Sequence, residues 1–307
     1  MRHITRLLCA AQLVCLVGIA PVRGQQPVKT SGDKGAWTIK WSASDEFNSN
    51  VMDWRKWIKT AGLPDTNSWL WDNANNAAVV NGTVRLTMRH NPNNVAVKNT
   101  YFQSAILKSY KTFTYGYFES RMRAAAFPGS GVCSSFWLFS DFDDEVAEGQ
   151  TIYSEIDVVE LQQFDWHNEK QDDARDIDLN LHCVVRESGK RAWRRPKTHP
   201  QGQLNKWRAP WDPRDDFHIY GCEVNRSEII WFVDGKEVAR KPNTHWHRPK
   251  HIAMSLGLRK PFVQFEENRN NPSDPATVPD ARNKLPDLPT SMVIDYVRVW
   301  EKTIGSR

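Results

Sequence analysis

Three carboxylates, Glu155, Asp157 and Glu160, fall within Tyr153-Ser-Glu-Ile-Asp-Val-Val-Glu160, a segment whose other residues read as a buried strand. Side chains on a strand alternate faces, so Glu155 and Asp157 share one face and Glu160 should point to the other. A β-bulge at Val158-Val159 would return Glu160 to the face of the first two acids, and bulges are common beside active sites. The outer Cα atoms of the resulting row would lie ~13 Å apart, and two glutamates leaning inward over the aspartate could bring their carboxyl groups together. That geometry suits glycoside hydrolysis with retention, in which one carboxylate attacks the sugar and a protonated partner ~5–5.5 Å away serves the leaving oxygen.

Two other uses of the three acids stay open on the octapeptide alone. They could hold a hard cation such as calcium, although calcium loops usually contain Gly and Asn turns and this run has none. They could also face solvent on an exposed sheet, where Lys or Arg would be expected among them, yet none lies between Thr151 and Asn168.

Short alternating runs bounded by turn residues supply the strands that must carry these acids. Examples are Ala78 to Met88, Tyr115 to Arg123, Phe217 to Val224, and Glu228 to Val238, where Asp234-Gly235 provides the positive φ angles of a two-residue hairpin turn. Long helical periodicity is absent. The pattern predicts an all-β sandwich or jelly roll whose curved sheet offers a concave face to a ligand.

Fourteen tryptophans give such a face its stacking platforms. Trp69 and Trp71, two apart in an extended context, should present both indoles to one side. Trp137, Trp193 and Trp246 sit near polar neighbours, whereas Trp231 and Trp300, inside apolar strands, read as core. Arg191, Arg194 and Arg195 cluster around Trp193, and Arg259 follows the strand-like Met254 to Leu258. An arginine fork matches the planar oxygens of a sulfate or carboxylate, so arginine beside tryptophan could recognise a charged sugar by charge and stacking together.

The first 24 residues read as a signal peptide, with Arg2, His3 and Arg6 before an apolar stretch from Leu7 to Ala20 and cleavage expected near Gly24. That stretch is short for a membrane span, so a secreted protein is expected, with periplasmic or cell-surface retention also open. Loss of Arg2, Arg6 and Arg23 lowers the 41 basic residues to 38 against 36 acidic ones, a balance that argues against a nucleic-acid binder. The remainder reads as one domain, 37–302, between an N-terminal extension, 25–36, and a tail, 303–307. The Pro- and Asn-rich stretch from Asn268 to Pro289 reads as a long surface loop. Cys133, Cys183 and Cys222 would remain after export, an odd set best read as buried small hydrophobes, and no spacing resembles a zinc site.

Taken together these residues resemble the family 16 glycoside hydrolases, and within them the κ-carrageenases. The resemblance rests on Ser44-Asp-Glu-Phe-Asn48, Tyr115-Gly-Tyr-Phe-Glu119, Ser154 to Leu161, Trp193-Arg-Arg-Pro196, Asp212 to His218, Trp246-His-Arg248, Gly257-Leu-Arg259 and Ile294-Asp-Tyr-Val-Arg298. It implies a concanavalin-like β-jelly roll of two curved antiparallel sheets. It further implies Glu155 as nucleophile, Glu160 as acid/base and Asp157 as the group orienting the nucleophile; Trp69, Trp71, Trp137, His182, Trp193, Arg195, Trp246 and Arg259 are expected to line sugar subsites, with Arg195 and Arg259 as sulfate contacts. No catalytic cofactor is implied, but a structural calcium through the Glu46 region, Gly82 and Asp295 is. The expected partner is a sulfated algal galactan and the expected state a monomer. Two loops depart from the family pattern: the one after Arg89 is short and Asn-rich, and the polar stretch from Gln162 to Asp178 is longer. Both bear on the walls of the cleft, so the same mechanism acting on furcellaran, β-carrageenan, porphyran or agar stays open as the alternative. A non-catalytic sugar-binding module on the same sandwich is the alternative of another class.

Overall fold

A computed structural model describes residues 26–64, 66–91, 100–167, 169–264 and 271–303. The signal-peptide expectation and most of the Asn-rich loop after Arg89 lie outside the described residues.

The alternating runs pair into two stacked sheets of ten and eight strands. In the larger sheet the neighbours run Lys236–Pro242, Glu228–Val233, His218–Val224, Gly116–Arg123, Thr290–Lys302 and Thr83–His90, then the short Phe102–Ser104 and Leu70–Trp71. The smaller runs Lys190–Arg194, Leu181–Glu187, Thr151–Leu161, Val132–Phe139, Lys250–Leu258 and Ile106–Phe113. The pairings are antiparallel except for Leu70–Trp71 against Phe102–Ser104. Asp234 and Gly235 have φ of 48° and 78°, the left-handed pair expected for the turn between Glu228–Val233 and Lys236–Pro242.

Between the sheets lies a continuous apolar core containing Leu86, Phe118, Met122, Phe136, Leu138, Trp231, Leu256 and Val297. The strand Thr151–Leu161 contributes Ile156, Val158, Val159 and Leu161 to it. Two adjacent valines on one face break strict alternation, and the register shows why. Phe136 pairs with Val159 and Trp137 with Asp157, so Val158 is the extra residue of a bulge. A separate apolar cluster of Trp137, Phe139, Tyr153 and Val184, with Trp71 packed against it, belongs to the smaller sheet.

Two regions depart from the sequence reading. Part of the N-terminal extension is built into the domain: the Val28 N–H donates to Glu119 at 3.0 Å, the Tyr117 hydroxyl donates to the Val28 carbonyl at 2.9 Å, and Lys29 pairs with Glu223 at 2.5 Å. Glu119 and Glu223 are fully buried, so the extension supplies partners that the sheet alone lacks. The stretch read as a loop from Asn268 to Pro289 contains a short helix, Pro279–Asn283, and a single 3-10 turn, Leu285–Asp287. Proline at the first helical turn costs no hydrogen bond and presets φ.

Candidate active site

The bulge brings all three acids to one pocket, lined also by Trp69, Trp71, Ser135, Trp137, Ser255, Gly257 and Arg259. Register fixes what flanks each acid. Glu155 lies opposite His182 on one neighbouring strand and Phe139 on the other; Glu160 lies opposite Asp178 and Ser135; Asp157 lies opposite Trp137. Residues directly opposite on antiparallel strands put their side chains on the same face.

His182 Nε2 is 3.2 Å from Asp157 Oδ2 and 4.0 Å from Glu155 Oε1. The Tyr153 hydroxyl donates to Glu155 Oε2. Arg259 closes the other end, its Nη2 donating to Glu160 Oε1 at 2.9 Å, its Nη1 to the Leu258 carbonyl at 2.8 Å and its Nε to Gln163. The Cys133 thiol lies 3.8 Å from Glu160 Oε1, and burial keeps it a neutral thiol. Burial also pushes the Asp157 carboxyl well above the usual aspartate range; the Glu160 charge adds to the shift and His182 opposes it. The middle acid of the row therefore holds its proton more tightly than an ordinary aspartate. Among the described residues, Glu155, Asp157 and His182 form a cluster within 4.8 Å, but a ring nitrogen is a poor ligand for calcium, which takes oxygens.

The tryptophans divide into two groups. Trp69 and Trp71 meet edge to face at 5.3 Å beside the acids, on one side as their spacing predicts. Trp137 is 95% buried but still lines the pocket, its indole N–H on Ser255 Oγ at 3.2 Å. Trp193 is 44% exposed, packs near Tyr153 and carries the Arg195 guanidinium over its face at 4.4 Å. Trp246 departs from the expected subsite position. It is only 1% exposed and joins the core, and its indole N–H donates to the main-chain carbonyls of Glu155 at 2.8 Å and His182 at 3.1 Å. It pins the strands from behind, as Trp231 does through the Asp157 carbonyl at 2.8 Å.

Sequence reasoning singled out neither Asp178, Ser135 and Gln163 nor the hydroxyl of Tyr153 as members of this site. Tyr153 was legible, two residues before Glu155 and hence on its face. Asp178, Asn180 and His182 likewise share parity.

The residues expected around calcium present a limited donor set. Arg298 grips both Glu46 carboxylate oxygens at 2.7 and 2.8 Å, and Arg121 takes Asp295 Oδ2 at 2.8 Å. What remains is the other Asp295 oxygen and the main-chain carbonyls of Glu46 and of Gly82 in its hairpin turn, where calcium takes six to eight oxygens.

A family model described as "Beta-porphyranase A-D, GH16 domain" matches residues 37–302. The chain is 38% identical to a κ-carrageenase of Pseudoalteromonas carrageenovora over 291 residues, covering 91% of this chain and 68% of that protein. It belongs to glycoside hydrolase family 16. The hydrolase is also similar to the crystal structure of a κ-carrageenase from Zobellia galactanivorans, with a TM-score of 0.88, 64% identity, and coverage of 91% of this chain and 100% of that one. The P. carrageenovora κ-carrageenase in complex with an oligotetrasaccharide of κ-carrageenan follows at TM-score 0.76 and 37% identity, covering 91% and 99%. A porphyranase B of Z. galactanivorans at 20% identity and TM-score 0.65 shares the fold. Two facing sheets with a concave site fit this family, and the enzyme class is a glycoside hydrolase.

Proposed function

We propose that this hydrolase cuts the β-1,4 links of κ-carrageenan internally and with retention of configuration, as a secreted monomer. The observation carrying this reading is the placement of Glu155, Asp157 and Glu160 in one pocket with Arg259 and three tryptophans; the likeness to κ-carrageenases directs it to that substrate. Glu155 is the nucleophile, with Tyr153 and His182 fixing its carboxylate. Glu160 protonates the leaving oxygen, and once the glycosyl-enzyme has formed it takes a proton from the incoming water. Asp157, held toward its protonated form, sits between them without adding a full negative charge beside the nucleophile. Trp193 and Arg195 offer a stacking face and a cation to a sulfated unit away from the acids, and Arg259 offers a second cation at the reacting centre. Among the described residues no helix is long and apolar enough to cross a membrane. A structural calcium at Glu46, Gly82 and Asp295 is part of the proposal, with chelation by EGTA expected to lower the Tm by a few degrees; an unchanged Tm removes it.

The test is product analysis by mass spectrometry and reducing-end assay on κ-carrageenan, furcellaran, ι-carrageenan, porphyran and agarose, each beside a Glu155→Gln control. Even-numbered sulfated oligosaccharides from κ-carrageenan, absent in the control, are expected, with the β anomer formed first. Cleavage of porphyran alone would replace the substrate and keep the site, a reading favoured by the description of the matching family model. Furcellaran or agarose as the only polymer cut would likewise change the galactan.

A further inference from the structure

The reading of Glu160 as the acid leaves open what keeps a proton on it while Arg259 sits 2.9 Å away, since a cation at that distance favours the carboxylate. Burial raises the Asp157 carboxyl well above the usual aspartate range, so it opposes Arg259 less than an ordinary aspartate would. The answer lies on the other neighbouring strand. Asp176–Asp178 pairs with the end of the catalytic strand, and the one register pair it makes there is Asp178 with Glu160. Asp178 is fully buried. Its Oδ1 accepts from Lys206 Nζ at 2.6 Å and from Asn180 Nδ2 at 3.2 Å, while its Oδ2 is buried with no hydrogen-bond partner among the described residues.

Lys206 does not cancel this acid alone. Its Nζ is also 2.6 Å from Asp172 Oδ2, so one ammonium serves two carboxylates, and a surplus negative charge stays next to Glu160. Asp165, from the polar stretch after the catalytic strand, also acts on Asp178 through its charge. A buried carboxylate oxygen with no hydrogen-bond partner costs free energy.

We propose that Asp178 is a positioning residue for the acid step, an anion held beside Glu160 that offsets Arg259 and keeps Glu160 protonated. Among the described residues, the groups acting on the pair include Arg259, Cys133 and Asp157 around Glu160, and Lys206, Asp172 and Asp165 around Asp178. Burial, with help from Asp165 and Glu160, pushes the Asp178 carboxyl up to about 7 against the pull of Lys206; the Glu160 charge is part of that push, so a proton on Glu160 favours the Asp178 anion. Interacting acids of this kind titrate as a set.

This inference rests on Glu160 being the acid. Asp178→Asn keeps the shape and leaves Lys206 paired with Asp172. It is expected to move the alkaline limb of the kcat/KM profile on the cleaved galactan down by about one pH unit, roughly a tenfold loss on that limb. Asp178→Glu is expected to restore the limb toward its original place. A purely structural role would lower the Tm or kcat evenly across pH and leave the limb where it was, which overturns the proposal. Should Asp178→Asn fail to fold, carboxyl NMR of the wild-type chain labelled with 13C-aspartate keeps the proposal open to test. The Asp178 titration is expected to shift to lower pH in Glu160→Gln, and an unmoved midpoint overturns the coupling. If Glu160→Gln hydrolyses normally, the assignment of the acid fails first.

Discussion

Arg195 and Arg259 read alike in the sequence, as two cations suited to a sulfate. Their surroundings separate them. Arg259 is 9% exposed and touches Glu160 directly, so on the proposed roles its loss removes both a cation for substrate and a partner of the acid. Arg195 is exposed, with its guanidinium over the Trp193 ring. Arg195→Met is therefore expected to raise KM on the sulfated polymer about tenfold, the loss of one charge-assisted contact, with kcat within a factor of two. Arg259→Met is expected to lower kcat as well. Steady-state kinetics on a sulfated and a neutral galactan tell the two apart, and equal losses in the two variants would contradict this division.

The extra residue Val158 decides the site at the scale of the element. Without it, the register that places Trp137 opposite Asp157 would carry Glu160 to the core face. The spacing of the acids made a bulge expected, because a carboxylate five positions after another needs one to share its face. The N-terminal strap had no such signal: Gln26 to Gly35 is polar and reads as a tail, yet Lys29 meets Glu223 with side-chain exposures of 7% and 1%. Removing one partner of a buried pair leaves an uncompensated charge, so Lys29→Met should cost about 3 kcal/mol in urea denaturation and leave the kcat unchanged. A loss below about 0.5 kcal/mol would mean that the strap is not part of the folded unit.

Across the whole molecule the two sheets differ, the smaller sheet holding the three acids of the candidate site and the larger sheet buried acids sealed by the strap. Burial raises Glu119 from its usual 4.5 to about 7, against the hydrogen bonds from Val28 and Tyr296. A raised folded value means that the folded state binds the proton more tightly, so this contribution to stability is fully present below about pH 4.5 and is lost as pH rises through 7. Relative to Glu119→Gln, the wild type should lose about 1–3 kcal/mol between pH 5 and pH 8. Denaturation of both chains at the two pH values reads the difference, and a constant gap would show that Glu119 keeps an ordinary carboxyl.

By itself the sequence determined the strand pattern, the Asp234-Gly235 hairpin, the three acids and the bulge that aligns them, because each depends on period-two alternation or on the φ preference of adjacent residues. It also determined the side shared by Trp69 and Trp71. Tertiary structure decided what stands across from each acid, since pairing between distant strands is set by the packing of the whole sandwich. That is why Asp178, Ser135 and Gln163 entered the site only in three dimensions and why Trp246, polar in its neighbours, turned out to lie beneath Glu155. The fate of a tryptophan or an arginine depends on which face its segment turns to the core, and no local spacing carries that information.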